Sequence, residues 1–268
     1  MEDNFFKIDL ESYFERIGYK GKSSSPSLDT LFEIHLAHAK SIPFENLDIL
    51  LGKSISLELQ DIEKKLVIGN RGGYCFEQNI LFAHVLERLG FKLTRLAARV
   101  HYKTNKLLPR THMSLLVECN GSFWIADVGF GGHGLLWPIL LEDNQKSVHF
   151  GWQYRVLRQN QHWLLQLFEN NSWTSLYSFS LEPQELVDYK IANYYVSTHP
   201  DSLFTKTLIV QSLSADLRKF LRNKSLTLIN PYFTRTRQLN DNNELLEVLK
   251  QDFGLFFAPN TTFRYNED

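Results

Sequence analysis

Residues 111–132 read THMSLLVECNGSFWIADVGFGG. The dipeptide Asn120-Gly121, set between two apolar runs, predicts a β-hairpin with a two-residue turn, because both turn positions need positive φ and Asn-Gly supplies it cheaply. With Asn120 and Gly121 in the turn, Cys119 stands opposite Ser122, Ser114 opposite Asp127, and His112 opposite Gly129. Side chains alternate between faces along a strand, so His112, Ser114, Asp127 and Gly129 share one face. His112 and Asp127 then become diagonal neighbours, about 7–8 Å apart between backbones and within side-chain reach. A slip of one residue would send them to opposite faces. An imidazole bonded to a carboxylate keeps one tautomer and can take a proton from a nucleophile. A lone strand histidine is most often a structural or surface residue, and it is the pairing with Asp127 that singles out His112.

Working outward, the residues before the hairpin are spaced for helices. Tyr13, Phe14 and Ile17 share a face that Gly18 ends. Leu28, Leu31, Phe32, His35, Leu36 and Ala39 form a second face, opened by Pro26-Ser27 and closed near Pro43. A third helix is expected over 59–67 and a fourth over 75–89, with Gly90 as its stop. From Leu93 the period falls to two, giving strands over 93–103, 113–117, 123–128, 148–158, 163–169 and 173–179. So many short strands suggest a barrel or a strongly curled sheet. After Pro183 the pattern is mixed: a helix over 184–195, strands over 207–213, 225–229 and 233–238, and a helix over 243–253. The chain is thus read as α+β in three regions, 1–91, 92–182 and 183–268.

The segment Arg71-Gly72-Gly73-Tyr74-Cys75-Phe76-Glu77-Gln78-Asn79 leads into the fourth helix. Its paired glycines permit a sharp turn and place Cys75 in the first helical turn. There the helix dipole and unpaired N–H groups favour a thiolate and can stabilise an oxyanion. Most cysteines are buried and inert. Cys119, in a strand beside the hairpin turn with no helix terminus or nearby base, is read that way. Gly129-Phe130-Gly131-Gly132 follows Asp127 without matching dinucleotide or P-loop spacing.

The whole-chain numbers exclude several classes of function. The 29 Lys and Arg against 30 Asp and Glu leave a formal charge of −1, with no basic stripe for nucleic acid or an anionic membrane. The N-terminal stretch is charged at Glu2, Asp3, Lys7 and Asp9 and has no signal-peptide core, and no apolar run is long enough to span a bilayer. Two cysteines make no disulfide framework, and both are expected to stay reduced in a cytoplasmic protein. No paired Cys-x-x-Cys or His-Glu-x-x-His spacing marks a metal site. The sequence carries no signal for oligomeric state.

Four stretches together resemble the arylamine N-acetyltransferase family: Ile42-Pro43-Phe44-Glu45-Asn46-Leu47, the Arg71–Asn79 segment, Thr111-His112-Met113, and Ala126-Asp127-Val128-Gly129-Phe130-Gly131-Gly132. A fifth, Ser197-Thr198-His199-Pro200-Asp201-Ser202-Leu203-Phe204, is also similar to that family. The motifs run in the family's order from about residue 40 to 205 and fade beyond Phe204. The resemblance implies an N-terminal helical bundle, a central β-barrel and a C-terminal α/β lid around a cysteine-protease-like catalytic core. It implies acetyl transfer from acetyl-CoA, as co-substrate and not a resident cofactor, to an arylamine, arylhydrazine or N-hydroxyarylamine. Cys75 would carry the acetyl group in a ping-pong cycle, with His112 as base and Asp127 as its orienting partner. Phe130, Phe204 and Phe44 would line the acceptor pocket, and Gly131, Thr198 and Ser202 would lie near CoA.

Three other readings use the same residues. A papain- or transglutaminase-like hydrolase shares the Cys–His–Asp chemistry, but the motif set and the apolar aromatic pocket argue against it. A non-catalytic binding domain is disfavoured because all three catalytic residue types are present. An amide synthase, or another acyl-CoA transferase, would keep the chemistry and change the donor or acceptor.

Overall fold

The computed structural model describes residues 6–21, 26–104 and 106–266; the charged positions Glu2 and Asp3 lie outside them. The helical spacing at the N-terminus folds as expected. Helix α1 (Leu10–Ile17) starts on Asp9, whose carboxylate accepts from the Glu11 N–H, and ends at Gly18. Helix α2 (Leu28–Ser41) is capped by Ser27. Strand β1 (Phe44–Glu45) and the short α3 (Leu47–Leu50) follow. Helix α4 (Leu59–Glu63) runs into a π-helical turn, Lys64–Ile68, and α5 spans Cys75–Arg88. Tyr13, Ile17, Leu31, Ile34, Leu66, Phe82 and Leu86 pack into one core with Met113, Leu115 and Val117 of the first sheet.

That sheet has eight antiparallel strands: β2 (Lys92–Val100), β3 (His112–Cys119), β4 (Ser122–Ala126), β5 (Ile139–Leu140), β6 (Gln145–His149), β7 (Trp152–Gln159), β8 (His162–Glu169) and β9 (Ser172–Pro183). Their order is β5-β4-β3-β2-β9-β8-β7-β6, and the end strands β5 and β6 lie against each other, so the sheet is nearly closed. Alternation sends Leu96, Ala98, Tyr154, Val156, Leu165 and Tyr177 into its interior. The β3–β4 register is the one read from Asn120-Gly121: Cys119 pairs with Ser122 and Leu115 with Ala126. Asn120 and Gly121 have φ of 52° and 72°.

One expected strand is corrected. The segment 148–158, read as continuous, is broken by a two-residue turn at Phe150 and Gly151, with φ of 51° and 89°. Gly151 fits that turn, and Phe150 accepts an uncommon backbone because its ring packs on Trp137, centroids 4.5 Å apart.

The remaining chain forms α6 (Leu186–Thr198), a 3-10 turn (Leu203–Thr205), β10 (Ile209–Leu213), β11 (Arg218–Arg222), β12 (Ser225–Ile229), β13 (Thr234–Gln238) and α7 (Asn242–Phe253). The second sheet, β1-β10-β11-β12-β13, is antiparallel and packs Val210, Leu221 and Leu226 against α7 residues Leu245 and Leu249. Its edge strand β1 comes from the N-terminal region, so residues 44–45 tie the first and third regions together. Strand β11 is not among the expected strands and lies within the charged stretch Asp216 to Lys224. Among the described residues, no helix is long and apolar enough to cross a membrane.

Four histidines are buried deeply enough to stay neutral. Burial pushes His35 down to about 4 and His38, His133 and His149 down to about 3. His38 bridges the Tyr13 hydroxyl at 2.8 Å and the Gln78 Oε1 at 3.3 Å, tying α1, α2 and α5. A depressed folded pKa means that the unfolded chain binds more protons below about pH 6.5, so stability is lost as pH falls from there towards 4. Each such group steepens the loss by up to about 1.4 kcal/mol per pH unit. His38→Gln should remove about one proton from that slope in denaturant titrations at pH 6.5, 5.5 and 4.5. An unchanged slope would contradict this account of the acid limb.

Candidate active site

The start of α5 is set by backbone contacts with β1 and the residue before it. The Gly73 N–H donates to the Pro43 carbonyl at 3.3 Å, and the Glu45 N–H donates to the Gly73 carbonyl at 3.0 Å. A Cβ on Gly72 would come 2.2 Å from the Pro43 oxygen, which is why that position takes no side chain. Glu77 accepts from the Tyr74 N–H at 3.1 Å and from Lys65 at 2.7 Å. Arg71 grips Glu45 through Nη2 at 2.6 Å and Nε at 3.1 Å, and reaches Asp48 at 3.2 Å. Carboxylates this deep are costly without such partners. The network fixes Cys75 as the first residue of α5, 6% exposed, with its thiol donating to the Thr111 carbonyl at 3.6 Å.

Thr111 immediately precedes His112, so this contact joins the helix start to the hairpin. The His112 Nε2 lies 2.7 Å from the Asp127 Oδ2, and both side chains are buried. The other carboxylate oxygen accepts from the Asn79 Nδ2 at 3.0 Å and the Gly129 N–H at 2.9 Å. Asn79 also donates to the Met113 carbonyl at 2.7 Å and accepts from the Val128 N–H at 3.1 Å, so one amide bolts α5 to β3 and to the chain just beyond β4. The Asp127 N–H donates to the His35 Nε2 at 3.1 Å, and the opposite His35 nitrogen meets the Leu136 carbonyl at 3.1 Å.

Burial alone would discharge His112. The Asp127 charge and its hydrogen bond, reinforced by the neighbouring Cys75, override burial and push the imidazole up to about 10. Asp127 also resists the upward pull of burial and is held below the usual carboxylate range, chiefly by His112 and then by Asn79 and Gly129. By contrast, burial pushes the Cys119 thiol up, with no cation to offset it.

Two aromatic groups flank this centre. Phe130 and Tyr177 pack on the His112 ring, with centroids 5.3 and 4.8 Å away. Phe204 sits 5.9 Å from Phe44 and 5.8 Å from Tyr74, the residue before Cys75. A Cβ on Gly131 would come 3.2 Å from the Phe44 ring, so the glycine loop joins the two groups. The remaining residues marked in the sequence lie at the end of α6. The Thr198 hydroxyl donates to the Tyr194 carbonyl at 2.6 Å. The buried Ser202 hydroxyl donates to the Val196 carbonyl at 2.6 Å and accepts from the Phe204 N–H at 3.2 Å, which sets the turn carrying Phe204. A separate groove of about 710 Å³, lined by Arg99, His101, Arg110 and His162 among others, involves none of these residues. Among the described residues, no group of three or more His, Cys, Asp or Glu side chains is placed to hold a metal.

Two supporting residues were missed in the sequence. Asn79 stands four residues after Cys75 and therefore on the same helix face, a signal that was available. His35 reads only as part of an apolar helix face, and nothing in the sequence announces its bond to Asp127.

A family model described as N-acetyltransferase matches residues 27–261. The chain is 41% identical over 256 residues to an arylamine N-acetyltransferase of Escherichia coli, covering 92% of this chain and 88% of that protein. It is 37% identical to the arylamine N-acetyltransferase / N-hydroxyarylamine O-acetyltransferase of Salmonella typhimurium, with coverage of 92% and 88%. The solved structure of the Mycobacterium marinum arylamine N-acetyltransferase in complex with CoA superposes with a TM-score of 0.87 at 33% identity, covering 92% of each chain.

The contrast between the two cysteines is testable. The Cys75 thiol lies against Thr111, the residue before an imidazole held charged, whereas Cys119 sits in a strand with no such partner. At mildly acidic pH, limiting iodoacetamide should alkylate Cys75 before Cys119, because the thiolate is the reacting species. Peptide mapping that finds Cys119 modified first would contradict the role of His112.

Proposed function

The chain belongs to the arylamine N-acetyltransferase family, and we propose that it moves an acetyl group from acetyl-CoA to an aromatic amine, hydrazine or N-hydroxyarylamine through an acetyl-Cys75 intermediate. The observation that carries this reading is the 2.7 Å His112–Asp127 bond beside the thiol at the start of α5. With His112 held as the imidazolium, the proton of the thiol–imidazole pair rests on the ring, and the Cys75 sulfur attacks the thioester carbonyl of acetyl-CoA. The first-turn N–H groups of α5 face the developing oxyanion. As the tetrahedral intermediate collapses, the carbon–sulfur bond to CoA breaks and the proton on His112 goes to the leaving thiolate. In the second half-reaction the amine nitrogen attacks acetyl-Cys75, His112 receives the amine proton, and the Cys75 thiolate leaves.

Asp127 holds the ring in the tautomer that points its other nitrogen away from the carboxylate and stabilises the imidazolium. Phe130, Phe204 and Phe44 offer flat apolar faces suited to an aromatic acceptor, and keeping water out of that space protects the thioester. The loop at Gly131 and the Thr198–Ser202 segment are assigned to the CoA side. In this reading, region 1–91 supplies the nucleophile, 92–182 supplies the base and carboxylate, and 183–268 closes over them in a cysteine-protease-like arrangement. The CoA complex of the M. marinum relative supports acetyl-CoA as co-substrate, and the named activities of the E. coli and S. typhimurium relatives support the acceptor class.

Because donor and acceptor act in turn on one cysteine, initial velocities measured against acetyl-CoA at several concentrations of an aniline or arylhydrazine should give parallel double-reciprocal lines. Intersecting lines would mean that both substrates bind before any transfer and would overturn the covalent route. Cleavage of a peptide amide without any aniline acetylation would favour a hydrolase instead.

A further inference from the structure

Arg218 is among the largest fully buried side chains of the described residues, with 0% of its surface exposed. Among the described residues, no carboxylate lies within ion-pair distance of it. Desolvating an isolated cation costs several kcal/mol, so what the guanidinium touches has to account for its presence. It donates to the Gly132 carbonyl at 2.6 Å, the Gly134 carbonyl at 3.4 Å and the Tyr154 hydroxyl at 2.5 Å, and lies over the Trp152 ring, 3.9 Å from its centroid. Its two backbone partners belong to the loop that follows Asp127.

That loop has glycine at 129, 131, 132 and 134, a composition with little shape of its own. Its two ends are restrained by different parts of the molecule. The inner end is held by the catalytic centre: the Gly129 N–H donates to Asp127, and Phe130 packs on His112 and Tyr177. The outer end is held by the second sheet. Gln211 of β10 accepts from the Gly132 N–H at 2.7 Å, and Arg218 of β11 takes the carbonyls of Gly132 and Gly134. Phe220 fills the space a Cβ on Gly132 would need, 2.1 Å away. The Gly134 N–H closes the turn onto the Gly131 carbonyl at 2.7 Å.

We propose that Arg218, with Gln211, is a positioning residue for the acyl donor: it clamps the outer glycine turn in the shape that receives acetyl-CoA and sets a fixed positive charge beneath it. The proposal rests on the reading above that this turn lies on the CoA side. Because the inner end has its own restraints, loosening the clamp should weaken donor binding more than it slows acylation of Cys75. A small acetyl ester that lacks the CoA body separates these two effects.

The experiment compares the wild-type enzyme with Arg218→Met, Arg218→Lys and Gln211→Leu, using acetyl-CoA and p-nitrophenyl acetate as alternative donors. Circular dichroism and thermal melting establish that each variant is folded. Losing the charge-assisted bonds in Arg218→Met should raise the KM for acetyl-CoA about tenfold or more. Acylation by the ester should fall by less than about threefold, since the inner end of the loop is untouched. Arg218→Lys, which keeps the charge but can satisfy fewer acceptors, should lie between Arg218→Met and wild type. Gln211→Leu should raise the acetyl-CoA KM about threefold, and it decides the matter if Arg218→Met does not fold. Equal losses with both donors, or an unchanged KM in folded variants, would overturn the clamp. A wild-type enzyme acylated by the ester and not by acetyl-CoA would overturn the donor reading, and the proposal with it.

Discussion

Asp127 is 1% exposed, and an ionised carboxylate that far from water is tolerated only if close hydrogen-bond donors answer its charge. The answers come from three directions: His112 on the neighbouring strand, Asn79 on α5, and the Gly129 N–H two residues on. Each of these donors needs its own element in a fixed place. The hairpin register must put residues 112 and 127 on one face, α5 must present Asn79 towards the hairpin, and the chain after β4 must turn back on itself. The same requirement seats Cys75, because it lies one turn before Asn79 on α5. The helix that satisfies the buried charge thus also brings the thiol to the Thr111 carbonyl, one residue before the imidazole.

The wider fold supplies what this centre lacks. In the proposed cycle the helical region would supply the nucleophile, and the nearly closed sheet the base and carboxylate. The second sheet reaches both, through β1 at the stem of α5 and through β10 and β11 at the glycine loop. Residues that look like punctuation in the sequence carry much of this contact. Gly72 lies under the Pro43 carbonyl, Gly129 against the Cys75 backbone, and Gly132 against the Phe220 ring.

Legibility in the sequence followed how local the determinant was. Asn120-Gly121 defines a register by itself, so residue spacing alone places His112 beside Asp127. The stops at Gly18 and the cap at Ser27 were equally local. The break at Phe150-Gly151 escaped because a phenylalanine at positive φ is supported by Trp137, which is distant in sequence. Strand β11 was not read because its charged residues carry no alternating apolar pattern, and the partners of Arg218 are glycine carbonyls more than eighty residues earlier. His35 was unreadable for the same reason: its partner is the backbone of Asp127, 92 residues away. The aromatic residues Phe44, Phe130 and Phe204 were named by resemblance, and their convergence around Tyr74, Gly131 and His112 is a property of the three-dimensional fold.

The central claim is that Cys75 becomes covalently acetylated. Intact-mass spectrometry of the protein mixed with acetyl-CoA alone, followed by peptide mapping, tests it most directly. The account predicts one added acetyl group per chain, located on Cys75, absent from Cys75→Ala and discharged on adding an aromatic amine. An acetyl group on any other residue, or none while aromatic amines are still acetylated at full rate, would contradict it.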